Sequence, residues 1–113
     1  RSRRIPVVAL DEDTVIVDVR TPAEYADGHL DGAVNIDLQS AGFESTVAAL
    51  DPEDAHELTL GAIAAPEDEY VVYCASGNRS AQAVAVMENA GLSVTDAGGI
   101  AAAERATGLP VIP

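Results

Sequence analysis

Apolar runs alternate with amphipathic stretches along the chain, and several of these runs are continuous instead of alternating in polarity. Continuous runs of β-branched residues, bounded by turn residues, are typical of strands that are buried on both faces. The most distinct run, YVVYC, shows this pattern in five residues. The pattern predicts strands over residues 14–20, 32–36, 70–74 and 92–96.

Helical patterns with recognisable end signals separate these strands. In the stretch TPAEYADG, Thr21 is the predicted N-cap and Pro22 the first helical residue. Glu24 completes a capping box, and Gly28 is predicted to end the helix. Three further helices are predicted, over residues 43–51, over residues 79–90 and over residues 100–107 before Gly108.

The alternation of strands and helices predicts an α/β fold, with a mostly parallel sheet flanked by helices on both faces. A chain of 113 residues is long enough for one hydrophobic core, so residues 1–113 are expected to form a single domain. Residues 1–5 are expected to fray as a tail. The acidic stretch 51–69, which contains two prolines, is expected to be an excursion from the fold.

The net charge of -13 limits the classes of partner. Nucleic acids and anionic membranes require clustered positive charge, so neither is expected to bind. The chain has no Lys, and three of its six Arg lie in the first four residues. Only Arg20, Arg79 and Arg105 remain in the body of the domain, and each therefore needs its own explanation.

The single cysteine excludes an intramolecular disulfide and a zinc site built from cysteines. The acidic clusters lack the spacing of metal ligands, so neither a metal nor a cofactor is expected. One free thiol fits a reducing compartment, and we predict a cytoplasmic location. An exported form whose N-terminal segment has been removed is the alternative.

The lone cysteine lies in CASGNRS, between the strand 70–74 and the helix 79–90. A short loop with a glycine can point successive N–H groups at the Cys74 sulfur, continuous with the positive end of the helix. Such a loop lowers the pKa of a thiol, and Arg79 can close over a bound anion. The alternative is a buried, inert cysteine that packs as a small hydrophobe. Residues Asp18 to Arg20 end another strand at the same edge of the sheet, where ligands bind in such folds.

The stretches VIVDVRTPAEYADGHLDGAVNI and YVVYCASGNRSAQAVAVMENAG, followed by GGIAAAERATGLPV, resemble the rhodanese-like sulfurtransferases. The resemblance implies a single rhodanese-like domain in which Cys74 accepts sulfur and cycles through a persulfide. The donor would be thiosulfate or a persulfide, and the acceptor cyanide or a thiol, including the thiol of a partner protein. The resemblance assigns donor binding to Ala75, Ser76, Gly77, Asn78, Arg79 and Ser80, with Arg79 either contacting the donor or holding the loop, and a supporting role to Asp18 and Arg20.

Two other functions remain as alternatives. Cysteine phosphatases use a similar loop with five residues between the nucleophile and the arginine, whereas four residues separate Cys74 from Arg79. The narrower loop favours sulfur transfer over hydrolysis of a phosphate ester. A rhodanese-like module without activity, which carries sulfur or binds a partner, is the other alternative.

Three more residues carry specific expectations. His29 is interpreted as a structural histidine whose ring bonds to backbone near a turn. Glu24 is interpreted first as a capping-box residue; a second role, an ion pair with an active-site arginine, cannot be derived from the sequence. Ala103 stands where a Trp commonly follows the Gly pair in the family, which predicts a less stable C-terminal helix or compensation by the residues inserted before residue 69.

Overall fold

In the computed structural model the described residues are 10, 14–48 and 69–113. The predicted tail 1–5 and nearly all of the predicted excursion 51–69 lie outside them. The described chain forms ten elements in sequence order. They are β1 (Thr14–Asp18), α1 (Pro22–Asp27), β2 (His29–Leu30), β3 (Val34–Asn35), α2 (Phe43–Ala48), β4 (Glu69–Cys74), α3 (Asn78–Asn89), β5 (Ser93–Gly99), α4 (Ile100–Thr107) and β6 (Val111–Ile112).

The central sheet has four strands in the order β3-β1-β4-β5, and every pair in it is parallel. This arrangement confirms the predicted α/β class. Strands β1 and β4 occupy the middle and are the two whose sequences are most continuously apolar, because a central parallel strand is covered on both faces. Parallel pairing brings the C-terminal ends of β1 and β4 to one edge of the sheet, where Asp18 lies opposite Tyr73.

An apolar core covers each face of the sheet. The first core packs β1 and β4 against α2 and α3, and includes Val17, Val72, Phe43, Val47, Ala83 and Met87. The second core, on the opposite face, takes residues from β1, β4 and α4, and includes Ile16, Val71, Tyr73, Leu30 and Ala103. Helices therefore lie on both faces, as predicted. Ala103 is fully buried in the second core.

The last strand of the main sheet, β5, differs from its prediction over residues 92–96. It continues to Gly99 because a bulge inserts Ala97: Asp96 pairs with Val72, and the next pair joins Gly98 to Tyr73. The bulge turns Gly98 to a φ of 81°, a conformation that favours glycine. Pairing then resumes to the end of β4, where Gly99 lies opposite Cys74.

A second sheet was not predicted from the sequence. Strands β2 and β6 pair antiparallel over two residues each, so that the C-terminal segment packs beside the end of α1. Smaller differences affect the predicted boundaries: β1 ends at residue 18, β3 spans only 34–35, and α3 begins at residue 78. Within the described segments, even the longest helix, α3, is too short and too polar to span a bilayer.

Candidate active site

Cys74 is the last residue of β4, and its side chain is fully buried. The loop that follows turns at Gly77, whose φ of 106° lies in the left-handed region that side chains other than glycine rarely adopt. This turn directs the Gly77 N–H to the Cys74 Sγ atom at 2.9 Å. Burial alone would agree with an inert cysteine of the core. The hydrogen bond from the Gly77 N–H shows instead that the sulfur of Cys74 is a hydrogen-bond acceptor.

The loop also determines the ionisation of the thiol. Burial raises the pKa of Cys74, but hydrogen bonds from the Ser80 N–H and hydroxyl, the Gly77 N–H and the Ser76 N–H outweigh it, and the pKa lies below its ordinary value. Three of these donors are backbone groups at or before the start of α3. The loop therefore has the arrangement of backbone N–H groups that is typical of a nest, and its hydrogen bonds favour the thiolate form of Cys74.

Ser80, in the first turn of α3, is fully buried beneath the loop. Its Oγ atom lies 3.0 Å from the Gly77 carbonyl oxygen and 2.8 Å from Oδ1 of Asp96. The same Oδ1 accepts the Gly98 N–H at 2.9 Å. Asp96 thus connects the bulge of β5 to the loop that holds the cysteine.

Arg79 is also in the first turn of α3, and its guanidinium forms a two-pronged ion pair with Glu24 of α1. The Nη1 and Nη2 atoms lie 2.8 and 3.0 Å from the two carboxylate oxygens of Glu24. The bond to Arg79 and the capping bonds with Thr21 lower the pKa of Glu24 from 4.5 to about 2. The capping box expected at Glu24 is present, and the structure adds the ion pair with Arg79.

A buried ion pair lies at the end of β1. Asp18 is fully buried, and its carboxylate accepts from Nε and Nη2 of Arg20 at distances between 2.6 and 3.0 Å. The Arg20 Nη2 atom also donates to the Gly28 carbonyl at 2.6 Å, and the guanidinium lies over the ring of Tyr73, 5.7 Å from its centroid. Tyr73 immediately precedes Cys74, so the ion pair contacts the strand end that carries the cysteine.

The N-terminal end of α4 packs directly against the loop. A Cβ atom at Gly99 would lie 2.6 Å from the Ala75 carbonyl oxygen and 3.1 Å from the Ser76 Cα. Only a glycine, which has no Cβ atom, allows the start of α4 and the loop to come this close. This contact fixes the position of the loop relative to α4. Residues Ala75, Ser76 and Asn78 have exposed side chains on the outer side of the loop.

A cavity of about 570 Å³ adjoins the loop at Arg79. It lies between the segment that leads into α2 and the outer face of α3. Its walls combine apolar and polar side chains, among them Leu38, Phe43, Glu44, Gln82 and Val86. This space is large enough for a small-molecule substrate beside the Arg79–Glu24 pair.

The sequence-predicted residues therefore lie at one edge of the sheet, where β1 ends at Asp18 and β4 ends at Cys74. His29 follows its structural interpretation: its Nδ1 lies 2.9 Å from the Tyr25 carbonyl oxygen, and its ring stacks on the Tyr25 ring. The sequence analysis did not identify Asp96. Its only local signal is an acidic residue before the two glycines of the bulge. Among the described residues, no cluster of His, Cys, Asp and Glu has the arrangement of a metal site.

Comparison with known proteins gives consistent matches. Residues 8–104 match the family described as rhodanese-like domain. The chain is 37% identical over 87 residues to a thiosulfate:glutathione sulfurtransferase of Saccharomyces cerevisiae, a match that covers 75% of this chain and 59% of that protein. It is 31% identical over 85 residues to the thiosulfate sulfurtransferase PspE of Escherichia coli, covering 74% of this chain and 68% of that protein.

Solved structures agree with these matches. A rhodanese with anions from E. coli superposes with a TM-score of 0.60 at 27% identity, over 88% of this chain and 96% of the other. The rhodanese-like domain of an Anabaena protein gives a TM-score of 0.65 at 25% identity, over 92% and 91% of the two chains. The relatives support the expectation of a sulfurtransferase. On the extent of these matches, the chain belongs to the rhodanese-like domain family.

Proposed function

We propose that the protein is a sulfurtransferase that moves sulfane sulfur from thiosulfate or a persulfide donor to cyanide or a thiol, through a persulfide on Cys74. The observation that carries the proposal is the 2.9 Å contact between the Gly77 N–H and the Cys74 Sγ atom. It belongs to a set of hydrogen bonds that lower the pKa of the thiol, and a thiolate is the form that attacks sulfur.

The first half of the reaction loads the cysteine. The Cys74 thiolate attacks the outer sulfur of thiosulfate, a new S–S bond forms, and the S–S bond of the donor breaks with its electron pair leaving on sulfite. In the second half a thiolate or cyanide attacks the outer sulfur of the persulfide. The Cys74 S–S bond then breaks, its electron pair returns to Sγ, and the product is a new persulfide or thiocyanate.

The loop donors serve both halves of this cycle. They stabilise the thiolate before the attack, and they stabilise the same negative charge when Cys74 becomes the leaving group. Ala75, Ser76, Gly77, Asn78 and Ser80 belong to the loop after Cys74 and the first turn of α3, and they are proposed to bind the transferred sulfur and the donor. Asp18 and Arg20 are proposed to hold the end of β1 under this loop.

Arg79 is proposed to hold the shape of the loop, one of the two roles that the resemblance allows. Its two-pronged ion pair with Glu24 supports this role because both terminal nitrogens of the guanidinium are engaged. The cavity beside Arg79 offers space for the acceptor. A thiol acceptor is further supported by the yeast relative, which is named a thiosulfate:glutathione sulfurtransferase.

The test is intact-mass spectrometry after treatment with thiosulfate, followed by treatment with a thiol or cyanide. The expected result is the gain of one sulfur atom in the wild-type chain, its removal by the acceptor, and no gain in Cys74→Ser. Steady-state sulfur transfer to cyanide should fall to background in the same variant. A chain that gains no sulfur contradicts the proposal and favours a partner-binding module.

Two outcomes separate the remaining alternatives. A chain that gains sulfur but releases it to no acceptor would be a carrier instead of an enzyme. Release of phosphate from an aryl phosphate at a rate comparable to sulfur transfer would favour a phosphatase, which the four-residue spacing from Cys74 to Arg79 opposes.

A further inference from the structure

The hydroxyl of Ser80 has more acceptors than it has hydrogen atoms. Its Oγ atom lies 2.8 Å from Oδ1 of Asp96 and 3.0 Å from the Gly77 carbonyl oxygen. A hydrogen bond from the same side chain is one of the causes that lower the pKa of the Cys74 thiol. A serine hydroxyl donates one hydrogen bond at a time. The acceptor with the greatest negative charge takes that hydrogen, because hydrogen bonds to ionised acceptors are about twice as strong as neutral ones.

The Asp96 carboxylate has a fixed position in which it can accept the hydrogen bond of the Ser80 hydroxyl. The bulge at Ala97 leaves the Gly98 N–H free to bond the same Oδ1 atom at 2.9 Å. The carboxylate oxygen that faces Ser80 is therefore fixed by the backbone of its own strand. Asp96 is 16 positions after Ser80 in the sequence, and the two side chains meet because β5 packs beside β4 and against α3.

We propose that Asp96 is a positioning residue that sets the direction of the Ser80 hydroxyl and, through it, the ionisation of Cys74. This inference deepens the proposed function and rests on the sulfur cycle of Cys74. When Sγ is a thiolate, it competes with the Asp96 carboxylate for the Ser80 hydrogen. When Sγ carries the transferable sulfur and has lost its charge, the hydrogen bond passes to Asp96. The same hydroxyl thus follows the negative charge without leaving a buried donor unpaired.

The other charged groups near the loop have no described hydrogen bond to the Ser80 hydroxyl through which they could act on the thiol. Arg79 of α3 is close enough to Cys74 for a direct interaction of charges, but it is paired with Glu24 of α1. Asp18 and Arg20 pair with each other at the end of β1. Among the charged side chains with described contacts, only Asp96 bonds the Ser80 hydroxyl.

The test measures the pKa of the Cys74 thiol in the whole chain from the pH dependence of its alkylation, which requires no sulfur transfer. Asp96→Ala should lower the pKa by about one unit, because the hydrogen bond of Ser80 is then given fully to the thiolate. Ser80→Ala should raise it by a similar amount. Asp96→Asn keeps an acceptor for the Gly98 N–H and for Ser80 but removes the charge, so its shift should be smaller than that of Asp96→Ala.

The double variant Ser80→Ala/Asp96→Ala decides the mechanism. If Asp96 acts through Ser80, adding Asp96→Ala to Ser80→Ala should leave the pKa unchanged. The same downward shift in both backgrounds would overturn the proposal, because it would mean that Asp96 acts by its charge or through the bulge alone. Asp31→Ala, which removes an exposed carboxylate on the β2 side, is the control and should not shift the pKa.

A kinetic measurement links the proposal to catalysis. The acidic limb of the pH profile of kcat/KM for the donor should move with the alkylation pKa in each variant. If alkylation shifts as expected while no variant or wild-type chain transfers sulfur, the proposed function fails and the role of Asp96 stands. If sulfur transfer is normal and Asp96→Ala leaves the thiol pKa unchanged, the role of Asp96 fails alone.

Discussion

Substitution of Gly99 by alanine is the sharpest probe of how the fold positions the cysteine. The new Cβ atom would lie 2.6 Å from the Ala75 carbonyl oxygen, about 0.8 Å closer than the 3.4 Å at which ordinary contact begins. Two further backbone atoms of the loop lie at 3.1 and 3.2 Å from it. All three are main-chain atoms, so no side chain can rotate away to relieve the contact, and the loop itself must move.

The size of the effect follows from this displacement. Overpacking of a close backbone contact costs about 1 to 3 kcal/mol, which for a chain of this size lowers Tm by about 4 to 12 °C. A shift of the loop by most of an ångström also misaligns the Gly77 N–H, which now lies 2.9 Å from Sγ. Misplacement by about 1 Å can reduce a rate about 100-fold, and we expect a loss of roughly 10- to 100-fold in kcat/KM.

The assays are thermal unfolding and sulfur transfer to cyanide, with the alkylation pKa of Cys74 as a direct report on the loop. That pKa should rise as the N–H donors move away. Gly42→Ala is the matched control, because a Cβ atom there meets no heavy atom within 4 Å, and both Tm and activity should stay unchanged. If Gly99→Ala unfolds at the wild-type temperature and retains activity within about twofold, the close packing of α4 on the loop does not determine its position.

Three further predictions concern the polar contacts around the loop. Glu24→Gln keeps the capping partner of Thr21 but loses the charge facing Arg79. The Glu24 side chain is 36% exposed, so solvent screening limits the loss at pH 7 to about 0.5 to 1 kcal/mol, or roughly 2 to 4 °C in Tm. Because the folded-state pKa is lowered from 4.5 to about 2, the wild-type advantage is complete above pH 4.5 and should fade as the pH falls toward 2; a gap that stays constant down to pH 3 would contradict the assigned ion pair. Arg79→Ala should lower kcat/KM by similar factors for thiosulfate and for an uncharged persulfide donor, whereas a KM increase confined to thiosulfate would assign Arg79 to donor binding. Tyr73→Phe leaves the buried Leu30 N–H, now bonded to the Tyr73 hydroxyl at 2.9 Å, without its acceptor; denaturant titration should show a loss of about 1 to 3 kcal/mol, and an unchanged midpoint would contradict this reasoning.

The main elements of the fold could be predicted from the sequence because their signals are local. The continuous apolar runs of β1 and β4 indicated central strands, and the capping box at Thr21 and Glu24 marked the start of α1. The pairing of β2 with β6 could not be predicted, since strands of two residues carry no periodic pattern. The end of β5 was predicted too early because two adjacent glycines argue against a strand, whereas the bulge lets pairing continue through them.

In the candidate site, too, local features could be predicted from the sequence, whereas contacts between distant residues could not. A short loop with a glycine, placed between a strand and a helix, predicted N–H groups directed at the sulfur of Cys74, and the Gly77 N–H has this position because the geometry of such a loop is local. The partners of that loop come from distant positions: Glu24 is 55 residues from Arg79, and Asp96 is 16 residues from Ser80. No spacing rule connects residues on different elements, so these contacts emerge only when the sheet order is known.

The construction of the loop has a consequence for how such a domain can diversify. Most of the donors that act on Sγ are main-chain N–H groups of Ser76, Gly77 and Ser80, and they are present whatever side chains the loop carries, provided that Gly77 keeps its conformation. The side chains of Ala75, Ser76 and Asn78 point outward and are exposed. Substitutions at these three positions can therefore change the exposed surface of the loop while the main-chain N–H groups that lower the pKa of the thiol remain in place.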